Sequence, residues 1–192
     1  MKQLGKSCAL VAGALFVLMA CKSAGDAQAQ EGHEHHDPFA GVTKAVCVLR
    51  GTQGNDAVKG VVTFVQKGEA LEVVAELEGL SPGGTHGFHI HEWGDCSAPD
   101  GTSLGSHYNP EGHPHAGPAE GKRHAGDFGN LTADAAGKAR LQLTLPGVTL
   151  AGRNAVLGRG MVVHAQADDL KTQPTANAGA RIGVGVIGIA KP

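Results

Sequence analysis

Eight short runs rich in Val, Leu, Ile and Thr, bounded by Gly, Pro, Asn or Asp, limit what this chain can fold into. They cover 44–50, 60–66, 70–77, 85–92, 126–131, 138–144, 161–164 and 183–189. Each is about strand length, and none sustains the 3.6-residue apolar period of a helix. Thirty glycines and nine prolines suit tight turns and long loops rather than helices. The expected fold is all-β, a sandwich or closed barrel of about eight antiparallel strands. Aromatic residues make up only 4% of the chain, so Val, Leu, Ile and Ala must fill its core.

Two segments carry no strand pattern. Residues 94–125 are rich in Gly, Pro, Ser and His, and residues 165–180 are polar. Long irregular loops in a compact domain are usually functional.

The N-terminal end has a different texture. Lys2 and Lys6 precede an apolar run from Cys8 to Met19, the arrangement of a secretory leader over residues 1–20. The run is too short to span a bilayer, which takes roughly 20 residues. It ends in Leu18-Met19-Ala20-Cys21, which resembles a bacterial lipobox with Cys21 as the lipidated residue. The other reading is ordinary cleavage after Ala27 or Ala29. Export to the periplasm or cell envelope is expected, with a lipid anchor in the membrane. Lys22 after the cysteine fits sorting to the outer membrane. Residues 21–39 read as a flexible tether, and its His33, Glu34, His35 and His36 could capture metal or be plain solvated linker. Residues 40–192 form the folded domain.

Loss of residues 1–20 removes two lysines and no acid, so the formal net charge moves from −2 to −4. No basic run exists, which argues against nucleic acid as a partner. Cys8 and Cys21 belong to the leader and anchor, leaving Cys47 and Cys96 in the domain. An exported domain with two cysteines could carry one disulfide.

Six histidines and one aspartate fall in and beside the two loops. His89 and His91 lie two apart in a strand, so both rings project from one face and can chelate one ion. Alone, that pair is a weak signal. His107, His115, His124 and Asp127 follow in the first loop. Three nitrogens and one carboxylate oxygen make a closed tetrahedral set suited to zinc, with no position left for water. His164 ends a later strand and could join the first pair, and imidazole-rich surroundings favour copper. If His107 serves both sets, it must bridge two cations as an imidazolate, a deprotonation that nearby cations favour.

The stretches GFHIHE, GSHYNP, RHAGDFGN, VVHAQADD, NAGAR and GVIGIA occur in that order between about residues 42 and 190. Together they resemble the bacterial, exported copper–zinc superoxide dismutases. The resemblance implies a Greek-key barrel with two long functional loops. It implies one copper per subunit on His89, His91, His107 and His164, and one zinc per subunit on His107, His115, His124 and Asp127. It implies dismutation of superoxide to oxygen and hydrogen peroxide at the copper, with His107 exchanging a proton. Asp168 matches a carboxylate that accepts hydrogen bonds from one histidine of each metal, here His89 and His115. Arg181 matches a cation beside the copper that attracts the superoxide anion, and Thr175 matches the opposite channel wall. His113 is extra and is expected to be solvated. A homodimer is a further expectation.

Two departures stand out. Most members join the loop after the His-x-His strand to the last strand by a disulfide. Cys96 fits the loop side, but the partner position is Val184. Cys47, on a strand expected to neighbour the last one, could replace it in a Cys47–Cys96 bridge. Otherwise both thiols are free, with Cys47 a small buried apolar residue. The loop from His164 to Arg181 is also short and carries few charges, which concentrates anion attraction on Arg181. The competing function is a non-enzymatic envelope lipoprotein that buffers copper or zinc. The His-rich tether favours it, while a channel cation has no use in storage.

Overall fold

The computed structural model describes residues 38–191. The expected leader, Cys21 and the His33/His35/His36 tether lie outside those residues. Eight strands form one antiparallel sheet: β1 (Lys44–Gly51), β2 (Lys59–Lys67), β3 (Ala70–Glu78), β4 (Thr85–His91), β5 (Asp127–Thr132), β6 (Ala139–Pro146), β7 (Gly160–His164) and β8 (Arg181–Ile189). Their order is β5-β4-β7-β8-β1-β2-β3-β6, and β5 also touches β6, so the sheet curls into a nearly closed Greek-key barrel. All eight expected runs are strands, with ends differing by up to two residues.

The alternation that marks the strands also builds the core. In β1, Ala45, Cys47 and Leu49 are buried, while Lys44, Val48 and Arg50 face solvent. In β6, Ala139 and Leu145 are buried while Arg140 and Thr144 are exposed. Val, Leu, Ile and Ala do fill the interior, and an edge-to-face contact joins Phe88 and Phe128 at 6.0 Å. β4 differs because its burial is continuous from His86 to His91. One side packs Phe88 and Ile90 into the barrel, and on the other His91 and His89 bond to Gly105 of the first loop and Asp168 of the second.

The Cys47–Cys96 bridge is not formed: both thiols are free. Strand alternation puts Cys47 inside with Ala45 and Leu49, whereas Cys96 lies on the exposed loop. Burial, with a smaller repulsion from Cys96, pushes the Cys47 thiol up to about 12.

Candidate metal centre

The first loop is held over β4 by backbone pairing. Glu92 N–H donates to Ser106 O at 2.9 Å, and Trp93 N–H to Leu104 O at 3.0 Å. Leu104, in a 3-10 turn at Thr102–Leu104, is fully buried against Gly160 of β7, where a Cβ would lie 2.0 Å from its Cδ2. This clamp sets His107 opposite His91 in a one-residue bridge. Further along, Ile90 N–H donates to Gly126 O and Gly126 N–H to Tyr108 O. A Cβ on Gly126 would lie 2.2 Å from Ile90 O, so the start of β5 can reach β4 only as glycine.

These constraints gather two sets of buried ligand atoms. His89, His91, His107 and His164 form one, and His107, His115, His124 and Asp127 form the other, with the ligand atoms of each set within 4.8 Å of one another. His107 belongs to both.

Hydrogen bonds fix which nitrogen each ring presents. A carbonyl only accepts, so His91 Nδ1 donates to Gly105 O (2.9 Å) and His164 Nδ1 donates to Gly179 O (3.1 Å). His89 Nε2 donates to Asp168 Oδ2 at 2.8 Å. The remaining lone pairs are His91 Nε2, His164 Nε2 and His89 Nδ1. His91 Nε2 and His164 Nε2 face each other at 3.4 Å. His89 Nδ1 and His107 Nε2 are buried with no hydrogen-bond partner. Buried polar atoms are normally satisfied. Four converging lone pairs without protons between them are what a bound cation would satisfy, and an all-imidazole set suits copper.

The second set is compact. Asp127 Oδ1 lies 3.0 Å from His107 Nδ1, 2.9 Å from His115 Nδ1 and 3.2 Å from His124 Nδ1. A tetrahedral zinc with arms of about 2.0 Å needs ligand atoms roughly 3.3 Å apart, close to these separations. Asp127 Oδ2 is held by the N–H groups of His124 (2.9 Å) and Ala116 (3.1 Å). The donor set therefore fits a closed zinc site.

Asp168 joins the two sets. Its Oδ2 accepts from His89, and its Oδ1 accepts from His115 Nε2 at 3.0 Å. Burial would raise both Asp127 and Asp168, but hydrogen bonds from the histidines outweigh it and hold both carboxyls far below their ordinary range. Burial pulls His107 down to about 4 and His164 to about 3, and drives His91 well below 6.5. Burial opposes charge on His115 too, but Asp127 and Asp168 prevail and lift it to about 9.

Arg181 sits beside the first set. Its guanidinium donates to Gly101 O (2.6 Å) and to Gly105 O (2.5 Å), the carbonyl that also takes His91 Nδ1–H. Thr175 is exposed in the second loop. His113 stands outside both sets, half-buried, with Nδ1 3.2 Å from Arg123 O.

Several supporting residues were not singled out by the sequence. Asn130 clamps the Asp168 backbone, accepting from its N–H at 2.7 Å and donating to its carbonyl at 2.9 Å. Gln173 does the same for His115, at 2.7 and 2.8 Å. Arg123 donates to His124 O at 3.0 Å. His86 donates to His164 O at 2.8 Å. Among these, only His86 had a usable signal, as a histidine in step with the core-facing Phe88 and Ile90.

The family model for copper/zinc superoxide dismutase (SODC) matches residues 58–187. The chain belongs to the copper/zinc superoxide dismutase family. The crystal structure of the clock protein EA4 is similar, with 37% sequence identity and a TM-score of 0.72 over 81% of this chain and 99% of that chain.

Proposed function

We propose that this protein dismutates superoxide, with copper on His89, His91, His107 and His164 and zinc on His107, His115, His124 and Asp127. Two superoxide anions and two protons give one oxygen and one hydrogen peroxide. Copper, when bound, supplies the one-electron exchange, for which zinc has no redox chemistry. The observation that carries this reading is the convergence of four unprotonated nitrogens beside a fixed guanidinium.

The chain's own residues divide the remaining work. His107 Nε2 can take a proton and pass it to the reduced oxygen species, while its Nδ1 stays on the zinc side. Asp168 keeps His89 and His115 in the tautomers that direct their Nδ1 lone pairs to the ions. Arg181 holds a positive charge still, because two carbonyls grip it beside His91. A small anion offers little shape to recognise, so fixed charge must attract it; this family is itself a standard example of such steering. Thr175 is proposed as the facing channel wall.

The motif ending at Cys21 supports export and lipid anchoring in the cell envelope. Metabolic labelling with a fatty acid tests that, and loss of label in Cys21→Ala is the expected result.

The deciding experiment loads the protein with copper and zinc, measures metal content and follows superoxide decay. One copper and one zinc per chain with rapid decay supports the dismutase. Full metal content without decay would favour metal buffering instead.

A further inference from the structure

Three members of the second set take their backbone position from the barrel or from a tight turn. His107 pairs with His91 in the one-residue bridge, Asp127 opens β5, and the His124 carbonyl accepts from the Asp127 N–H at 3.2 Å. His115 has none of these supports. Residues 112–117 belong to no strand, helix or turn. Among the described residues, neither polar group of the His115 backbone bonds to another backbone group.

Both groups go instead to one side chain of the second loop. Gln173 Oε1 accepts from the His115 N–H at 2.7 Å, and Gln173 Nε2 donates to His115 O at 2.8 Å. The carboxamide thus copies one rung of a β-ladder. A second bond from Nε2, to Lys171 O at 3.1 Å, fixes which way the amide points, because a carbonyl only accepts. The loop that carries Gln173 is braced against the same ligand. Asp168 Oδ1 takes both the His115 ring and the Leu170 N–H, at 3.0 and 2.6 Å, and a Cβ on Gly117 would lie 3.6 Å from Leu170 Cδ1. On either side of Gln173, Leu170, Ala176 and Asn177 adopt left-handed backbone at φ 60, 67 and 53. Such conformations persist only where the surroundings hold them. The loop is therefore held to one shape, with its amide facing His115.

We propose that Gln173 is a positioning residue for His115. Its amide supplies the rung that the first loop lacks and holds the His115 peptide in place, while Asp168 and Asp127 hold the ring. Gln173 is exposed, so water can satisfy the same two peptide groups when the amide is removed. Water does not fix where those groups sit. The loss therefore shows in the geometry and affinity of a metal in the second set, and little in the stability of the metal-free protein. This role rests on reading the His115 set as the zinc site.

The test compares Gln173→Met, Gln173→Glu and Thr172→Val in the full domain. Met keeps the length of the side chain without the amide. Glu keeps an acceptor for the His115 N–H but turns a second oxygen toward the His115 carbonyl. Thr172 Oγ1 bonds Asp169 Oδ2 at 2.6 Å, so Thr172→Val loosens the same loop without removing the clamp. The readouts are zinc affinity by chelator competition, the visible spectrum of cobalt(II) in the second set, and the denaturant midpoint of the metal-free protein. Met and Glu should weaken zinc by on the order of tenfold and shift the cobalt bands, with Thr172→Val within roughly threefold of the parent. The metal-free midpoint should stay at the parent value in all three. Unaltered zinc and cobalt in Met and Glu, a Thr172→Val variant as perturbed as Met, or a metal-free midpoint that falls in step with zinc affinity would each overturn the role. If the Met variant does not fold, the comparison of Glu with Thr172→Val decides on the same criteria. A parent protein that binds neither zinc nor cobalt would overturn the zinc reading and this role together. A parent that binds both, with indifferent variants, would overturn this role alone.

Discussion

His89 Nε2 lies 2.8 Å from Asp168 Oδ2, and the other oxygen of that carboxylate receives His115. One side chain from the second loop thus fixes a ring in each metal set. Asp168 is itself held by Asn130 through both backbone polar groups. Removing its charge should reach the second set, where Asp168 and Asp127 are the two carboxylates bonded to the His115 ring. Asp168→Asn is expected to weaken zinc by about 10–100-fold. Chelator competition measures it, and unchanged zinc affinity would count against the role.

Arg181 is the fixed cation beside His91, so reversing its charge should oppose anion approach. Arg181→Glu is expected to lower the dismutation rate by about tenfold or more. Salt should then speed the variant and slow the parent, because screening weakens repulsion in one and attraction in the other. Rates measured across ionic strengths check this, and two parallel salt profiles would defeat it.

Acid should destabilise the metal-free protein. His107 and His164 sit at about 4 and about 3 in the fold against an ordinary 6.5, chiefly through burial. The unfolded chain therefore binds protons that the folded chain refuses. Their contribution is fully present above 6.5 and is lost as pH falls toward 4 and then 3. Asp127 and Asp168, held low, add to the loss at the acid end. His115, raised to about 9, acts oppositely: its contribution is complete below 6.5 and fades between 6.5 and about 9, which offsets part of the difference. Denaturant midpoints at about pH 7.5 and about pH 4.5 should show the lower value in acid. Equal midpoints would be the contrary result.

The two thiols should differ sharply in reactivity. Cys96 is exposed, while burial holds Cys47 at about 12 inside the barrel. Thiolate is the reactive form. Mild alkylation of the folded protein should modify Cys96 quickly and Cys47 only after unfolding. Two thiols reacting at one rate, or none reacting before reduction, would contradict the arrangement.

Much of this molecule was legible in its sequence. The eight strands could be read because a period of two is local: each run shows which side chains face the core without reference to any other. The residues of both metal sets could be read because imidazoles and carboxylates are scarce outside exposed surface, and here they recur in ordered motifs. The free state of Cys47 and Cys96 could not be read, since it turns on how the loop bearing Cys96 lies against β1, which neither run shows locally. Nor could the single Gly105 carbonyl that serves both His91 and Arg181, because a backbone oxygen leaves no mark in a residue string. The tie from His86 to His164 was hidden for a deeper reason. It exists only because the β4–β7 ladder stops at Phe88↔Val163 and the β7–β8 register slips one residue later. The sequence alone determined the strands and the chemistry of the donors. The alignment of β4, β7 and β8 decided how those donors are held, since register is settled by packing across strands distant in the chain.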